Sequence, residues 1–570
     1  VHVDFHEMSY NSSYFFFPAF KPINKNFPAS TIEWGEIYGR ANAEAFDRRG
    51  WSYYSGESFD LFYPGYGDSW PSLHGAIGMT YEQAGQSWLR IRRRDDEILT
   101  LAERLEHHSA TSFATIRTTA DNRERRLSDF RRFFADAIAE GHDGPVRSYL
   151  VPPGKDPART ARMVDLLISQ GIEVGRAERE FPAGDALSHL GSARRPNTFP
   201  EGTYVIRLDQ PAKRLAMALL EREPAVTDTS YYDISAWCLP IAFGVETWWS
   251  SGVPGVTLAP LTGGVVPDGA VSGGKARYAY IIPWTSNNSA RALARLLQTG
   301  YRTHTAMQEF THGGKRYGRG TIIVPVRANP DVIDSTMASV AAEFHLAIAS
   351  ANSGFTESGI NLGSDRAVLL KRPKIAVLAG NPVSTSAYGA IWSMFDREYG
   401  IEFVPVEPQR LARADLQKYT AIIFPDDGAA GHDYAGTFDS AFVKKLKTWI
   451  AAGGTLVGIE GGAAFATHDR AGISGVKLKS RKKKDEEKKK SDDGKKPEVD
   501  PEELQKLMTV EQRERKRRME DVPGTIVGVR LDNSHPLGFG YDTLISVFRT
   551  TGTAFELSGS GYNVGVYTKS

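Results

Sequence analysis

The middle of the chain repeats itself, and that duplication restricts the fold more than any other feature. The run YLVPPGKDPARTARMVDLLISQGIEVGRAEREF, starting at Tyr149, is answered by YIIPWTSNNSARALARLLQTGYRTHTAMQEF, starting at Tyr280. Tyr149 corresponds to Tyr280, Gly171 to Gly300 and Phe181 to Phe310. Each copy continues into a second apolar strand, GTYVIRL from Gly202 and GTIIVPV from Gly320, and then another helix-like stretch. The order strand, helix, strand, strand, helix implies two related α+β modules packed together. Two copies are too few for a solenoid. Neither copy gathers a cluster of titratable residues, which suits a scaffold.

The flanking regions are of another kind. At 570 residues the chain exceeds one core, since domains run to roughly 100–200 residues. Before the duplication, VHVDFHEM reads as a strand, and TIEWGEIYGRANAEAFDRRG has helical apolar spacing with Gly50 as its stop signal. AIGMTYEQAG reads as a second strand, and from Gln86 to about Glu140 the pattern is helical. After the duplication, RPKIAVLAG, YTAIIFPDDG, FVKKLKTWIAAGG and TLVGIEGGAAF alternate strand and helix, as in a doubly wound parallel sheet. The expected divisions are 1–141, 142–245 and 246–365 for the first domain and the two modules, and 366–570 for the last domain. A charged insertion at 477–521, rich in Lys, Arg, Asp and Glu, has too little apolar surface to fold alone.

Composition removes several functions. Lys plus Arg (69) and Asp plus Glu (68) nearly cancel, so no net field steers the chain to nucleic acid or membrane. No apolar run approaches the ~18 residues of a membrane span. Cys238 is the one cysteine, which rules out an intramolecular disulfide and Cys-rich zinc sites. Its apolar surroundings, DISAWCLPIAFG, suit a buried structural thiol.

Chemistry-bearing residues concentrate near the start. On a strand, His2, Asp4 and His6 share a face, but His2 and His6 stand roughly 13 Å apart at about 3.3 Å per residue. Only one of them can ligate a given ion, with Asp4 placed to hydrogen-bond its imidazole from behind. Glu82 follows an apolar strand and precedes a glycine, a position suited to a general base for water beside a metal. Between them, SFDLFYPGYGDSWPSLHG is a Tyr-, Gly- and Pro-rich loop able to cover a pocket, or simply a surface loop with aromatic anchors.

These motifs, in this order, resemble the carboxypeptidase A-like zinc metallocarboxypeptidases. VDFHEMSYNSSYFFFPAF is similar to the strand that delivers that family's third zinc ligand, which assigns the metal to His6 and the supporting acid to Asp4. GMTYEQAG resembles the strand carrying the catalytic glutamate, so Glu82 takes that role. YPGYGDSW resembles the loop whose tyrosine closes over substrate, matching Tyr63, with Tyr66 as its rival if the loop is shifted. The resemblance covers about residues 1–90 and, more loosely, the helices to ~140. It implies a Zn2+ cofactor, a peptide or protein substrate cut at its C-terminal bond, and an extracytoplasmic (periplasmic or secreted) location, as for large bacterial members.

The family pattern also requires a His-x-x-Glu pair of zinc ligands and an Asn-Arg pair for the substrate carboxylate. No His-x-x-Glu occurs in this sequence, and His74 or the pair in EHHS are poor substitutes. The resemblance therefore implies an N-terminally truncated enzyme, inactive as given. The C-terminal region resembles the flavodoxin-like, class I glutamine amidotransferase-like fold, with GTLVGIEGGAAF at the nucleophile elbow. Glu460 stands where that fold has its Cys, which argues against amidotransferase activity and for a binding or packing module. NSHPLGFG, with His535, reads as a turn. The expected fold class is α/β: a partial metallocarboxypeptidase domain, two related α+β modules and a doubly wound amidotransferase-like sheet. The alternative function is a non-catalytic multidomain binding or scaffold protein with degenerate modules; the sequence leaves the oligomeric state open.

Overall fold

The computed structural model describes residues 1–85, 87–190, 197–224, 234–479, 507–520 and 524–568. Two compact units make up the chain, one of residues 1–265, 499–527 and 546–551, the other of residues 266–498, 528–545 and 552–570. The architecture is mixed α/β with several separate sheets.

The first unit opens with β1 (His2–Ser9), β2 (Tyr14–Phe15), helix α1 (Ala29–Asp47), β3 (Tyr53–Tyr54), short helix α2 (Ser69–Leu73) and β4 (Gly78–Gly85). The strands form one sheet in the order β1-β4-β2-β3, with β1 parallel to β4 and β2 antiparallel to it. Both strands read from the sequence are present, and α1 ends just before Gly50, whose φ is +66°. The aromatic run Tyr14–Phe17 is buried throughout, each residue at 3% exposure or less. Successive strand residues face opposite sides, so burial of the whole run means that both faces of the sheet are covered there.

The stretch expected to be helical from Gln86 begins otherwise. Gln86 itself lies outside the described residues, and a hairpin, β5 (Arg90–Arg92) and β6 (Ile98–Thr100), precedes the helices. Its turn holds Asp96 at a φ of +66°, a conformation Asp tolerates better than most residues. Helix α3 (Leu101–Asp121) then starts on a capping box: the Thr100 hydroxyl accepts from the Glu103 N–H while the Glu103 carboxylate accepts from the Thr100 N–H. Helix α4 (Arg123–Asp143) follows. Trp34 of α1 is fully buried; its indole N–H donates to Asp129 of α4 at 2.9 Å, and the guanidiniums of Arg125 and Arg126 each lie 5.0 Å from its ring.

The duplication is visible in five of the six strands of each main sheet. The first copy runs β7 (Ser148–Val151), α5 (Pro157–Ser169), β8 (Gly175–Ala177), β9 (Phe181–Ala183), β10 (Leu187–Ser188), β11 (Asn197–Phe199), β12 (Tyr204–Arg207), α6 (Lys213–Leu220), α7 (Leu239–Phe243), β13 (Trp248–Ser250) and β14 (Leu258–Pro260). The second, in the other unit, runs β15 (Ala270–Ser272), β16 (Ala279–Ile282), α8 (Asn287–Gln298), β17 (His304–Ala306), β18 (Phe310–His312), β19 (Lys315–Tyr317), β20 (Ile322–Pro325), α9 (Ile333–Phe344), β21 (Ala347–Ala351), β22 (Ser358–Gly359) and β23 (Ala367–Leu369). Their six-stranded sheets have the orders β10-β13-β7-β12-β8-β14 and β15-β21-β16-β20-β17-β23. Tyr149 faces Ile206 as Tyr280 faces Val324, so the register of the central pair is the same in both. Gly171 and Gly300 have φ of +79° and +84° at the ends of α5 and α8, where a left-handed residue stops a helix and glycine adopts it without strain.

These pairings move two of the expected boundaries. Strands β13 and β14 lie beyond residue 245 yet complete the first copy's sheet, and β23 lies beyond residue 365 yet pairs with β17 of the second copy. Strands of three residues are too short to show a period, so the sequence did not mark them.

A four-stranded sheet after the second copy is wholly parallel, in the order β25-β24-β26-β27, and a three-stranded sheet of Thr525–Leu531, Leu544–Arg549 and Gly565–Tyr567 follows it. The elements of the parallel sheet are β24 (Ile375–Leu378), α10 (Thr385–Trp392), β25 (Phe403–Val406), α11 (Pro408–Arg413), β26 (Ala421–Phe424), α12 (His432–Thr437), α13 (Ser440–Ala451), β27 (Thr455–Gly458) and α14 (Gly461–Thr467). A π-helical turn, Ser393–Tyr399, prolongs α10. Ala376, Leu378, Ile422 and Phe424 pack with α11, α13 and α14 on one face, whereas Ile375, Val377 and Ile423 pack with Ile391 of α10 on the other. Of the charged insertion expected at 477–521, residues 480–506 and 521 lie outside the described residues; the rest includes an exposed helix, α15 (Val510–Glu520).

Candidate functional site

The register of β1 on β4 creates the site. His6 pairs directly with Glu82 and Asp4 with Thr80, so four side chains share one face. The His6 ring lies between two acids: Nε2 is 3.3 Å from Asp4 Oδ2, and Nδ1 is 3.9 Å from Glu82 Oε1. The imidazole is open to solvent, with 55% of its side chain exposed, whereas Glu82 is at 8%. Glu82 Oε2 is buried and has no hydrogen-bond partner among the described residues. Burial pushes the Glu82 carboxyl above its usual range, His6 pulls it back, and the charges of Glu7 and Asp4 raise it further. A carboxylate held this way, with one oxygen orphaned, is primed to take a proton or accept from a water.

The loop before β4 meets the site at Gly67. A Cβ there would fall 1.9 Å from Asp4 Oδ2, so glycine lets the backbone close on that carboxylate. Next to it, buried Asp68 accepts from Thr80 Oγ1 at 2.8 Å and Ser69 Oγ at 3.0 Å, which ties the loop to β4. Tyr63 stands in an aromatic group with Tyr66 and Trp237, at ring separations of 5.2 and 5.7 Å. The structure thus brings together His6, Asp4 and Glu82, while Tyr63 packs with other aromatics and Tyr66 is 44% exposed.

Two residues absent from the sequence reading belong to this face. Tyr54 reaches across the sheet so that its hydroxyl donates to Met8 Sδ at 3.2 Å. Its pKa is pushed up to about 12 by burial and then by the charges of Glu82 and Glu57. Phe15 lies opposite Glu82 on β2 and packs on Tyr54, so an apolar wall dries the carboxylate. Met8 was legible as the next residue on the His6 face; Tyr54 was not, because its contact spans the sheet.

The other histidines have different tasks. His107 Nδ1 shares a hydrogen with Gln83 Oε1 at 2.8 Å and packs 4.4 Å from the Trp51 ring, while His108 pairs with the Tyr14 hydroxyl at 2.8 Å. Gln83 alternates with Glu82, so this pair lies on the opposite side of the sheet. His74 is exposed, with Nδ1 2.8 Å from the Trp70 carbonyl oxygen. Burial lowers His107 to about 4, from an ordinary value near 6.5. As pH falls, the unfolded chain therefore takes up this proton first. The stability tied to neutral His107 is complete above roughly 6.5 and drains away between there and about 4. The expected result is a urea midpoint that falls over that window more steeply in wild type than in His107→Gln.

Among the described residues, no three His, Cys, Asp or Glu side chains form a group able to hold a metal ion. His6 with Asp4 behind it fits one position of a zinc site, and the orphaned Glu82 oxygen fits the place of a neighbouring base. One imidazole does not make a complete site. Cys238 is 2% exposed and its thiol is pushed up to about 12 by burial, as suits a structural residue.

At the other end of the chain, Glu460 stands at a tight strand-to-helix turn. Between β27 and α14, Glu460 has φ +48° and ψ −109°, a strained region for any residue with a side chain. The Gly461 N–H donates to Asp426 Oδ1 at 2.9 Å, and burial with repulsion from Asp426 raises the Glu460 carboxyl. Glu460→Gly removes both the strain and the repulsion and is expected to stabilise the second unit by about 1 kcal/mol, read as a higher urea midpoint.

Comparison with known proteins returned no matching family model, no matching curated protein and no matching solved structure.

Proposed function

We propose that the chain is the later part of a zinc-dependent metallocarboxypeptidase acting on C-terminal peptide bonds. The observation that carries this reading is the buried, half-orphaned Glu82 carboxylate beside the solvent-facing imidazole of His6. His6 would hold the metal at one ligand position, oriented by Asp4, and no further ligands stand beside it among the described residues. A zinc ion held there would supply a water of lowered pKa. Glu82 Oε2, buried beside Phe15 and without a hydrogen-bond partner among the described residues, is the oxygen that would accept its proton. The loop that carries Tyr63 covers the substrate, and the glycine at position 67 lets it approach Asp4 closely.

The substrate class is a peptide or protein, and the location is extracytoplasmic, periplasmic or secreted. Among the described residues, no helix is long and apolar enough to cross a membrane. Glu460, in place of the cysteine of the amidotransferase-like fold, favours a non-catalytic role for that domain; its parallel sheet and the duplicated modules serve as binding or packing elements.

Elemental analysis for zinc and a peptide-hydrolysis assay on the protein extended upstream of Val1 test the reading. One zinc per chain with chelator-sensitive release of C-terminal residues is expected. No zinc in the extended protein would remove the reading and leave the non-catalytic scaffold.

A further inference from the structure

The loop that carries Tyr63 is fastened at both ends, and the fastening at its near end comes from the first duplicated module. At the far end, Asp68 holds Thr80 and Ser69. At the near end, the last turn of α6 reaches the loop by two separate routes. A helix leaves its final carbonyls without partners of its own. In α6 the Ala218 carbonyl accepts from the Trp237 indole N–H at 2.7 Å, and the Leu220 carbonyl pairs with His189 Nε2 at 2.7 Å. Ala218 is fully buried, so Trp237 cannot swing away without stranding a helix carbonyl out of reach of water. From that fixed position its ring meets Phe62 at 5.0 Å and Tyr63 at 5.7 Å, both edge to face.

The second route is polar. Glu221, the residue after α6, accepts from Asn26 Nδ2 at 3.0 Å on one carboxylate oxygen and pairs with Lys25 Nζ at 2.7 Å on the other. The same Asn26 amide donates to Asn24 Oδ1 at 3.1 Å, and Asn24 Nδ2 donates to the Phe62 carbonyl at 3.0 Å. Asn24, Asn26 and Glu221 are all at 7% exposure or less, which shields these bonds from competing water. Arg214 of α6 adds a hydrogen bond to the Asn26 carbonyl. Both routes end on Phe62, one on its ring and one on its carbonyl oxygen, one residue before Tyr63. The Tyr63 ring itself lies back over the loop, since a Cβ on Gly65 would fall 2.8 Å from its Cε1.

We infer that the first module clamps Tyr63 in place, with Trp237 and Asn24 as the positioning residues. Between the two fastenings the chain runs Tyr-Pro-Gly-Tyr-Gly, and its glycines would let an unclamped loop carry the ring through many positions. Holding Phe62 by its ring and by its carbonyl restricts where the next side chain can go, so the phenol is ordered before any substrate arrives. The catalytic consequence rests on the proposed carboxypeptidase reading, in which the Tyr63 loop covers the substrate. The clamp itself requires neither zinc nor substrate.

Two measurements separate the clamp from the reaction. The first is fluorine NMR of the 570-residue chain without metal, with 3-fluorotyrosine at position 63 and circular dichroism and urea midpoints as controls of folding. A resonance displaced from that of the free amino acid is expected in the wild type. It should move back toward the free value in Trp237→Ala and also in Asn24→Asp, which acts at the Phe62 carbonyl. The second is peptide hydrolysis by the protein extended upstream of Val1. Each variant is expected to lower kcat/KM about tenfold with zinc content unchanged, and by less than about twofold once Tyr63 is replaced by Phe, because a lost position matters only while the hydroxyl is there. If Trp237→Ala fails to fold, Asn24→Asp carries both readouts. A wild-type resonance at the free value, a resonance that Asn24→Asp leaves in place, or losses that persist undiminished beside Tyr63→Phe overturn the clamp. Absence of hydrolysis by the extended wild type, with the fluorine shifts as expected, removes the reaction and leaves the clamp standing.

Discussion

Glu82→Gln is expected to reduce peptide hydrolysis by the upstream-extended protein about 10²- to 10⁴-fold, the usual contribution of a positioned general base. The amide keeps the size of the carboxylate and its hydrogen-bonding reach, but it has no oxygen that can take a proton. Under the proposed reading zinc content should not change, because His6 rather than Glu82 would be the ligand. Nor should the fold suffer: the native carboxyl is raised by burial, which means that its ionised form is the unfavourable one in place. At neutral pH the urea midpoint of the variant should equal or exceed that of wild type. Loss of activity with loss of zinc would instead mark Glu82 as a structural support of the metal position, and undiminished activity would remove it from the chemistry.

Trp34→Ala is the substitution expected to cost the first unit most, about 3–5 kcal/mol. The side chain is completely buried, so its removal leaves a cavity between α1 and α4. Two further losses add to that. Asp129 loses the indole N–H donor at 2.9 Å, and Arg126, itself buried, loses the ring beneath its guanidinium. Trp34→Phe fills most of the volume but still removes the indole donor to Asp129 Oδ2, leaving it only the Arg125 guanidinium at 3.6 Å, so it should fall between wild type and Ala. A urea midpoint for Trp34→Ala within experimental error of wild type would show that the two helices close the gap.

The parts of this protein that could be read from sequence share a physical cause. His6 and Glu82 sit on strands whose own alternation marks them, and the duplication survived because Tyr149, Gly171, Phe181 and their counterparts occupy positions with little freedom to change. That His6 would face Glu82 could not be read, since parallel pairing is set by contacts far apart in the chain. Gln83, the next residue along β4, turns its side chain to His107 on the other face. Tyr54 was hidden because its partner, Met8, lies across the sheet. The hairpin at Arg90–Thr100 was masked by charged residues that suit an exposed ribbon as well as a helix surface.

One rim of the duplicated sheets differs in a way that bears on biosynthesis, while at the other β14 and β23 are antiparallel to their neighbours in both copies. In the first copy β10 joins β13 antiparallel, whereas in the second β15 joins β21 parallel. Tandem domains with the same topology risk trading elements while the nascent chain is still emerging. A terminal strand of opposite polarity cannot complete the neighbouring sheet with its own hydrogen-bond pattern. The mismatch at this one rim is therefore expected to act as a proofreading feature, letting each copy reject the other's strand there while their shared centres remain alike.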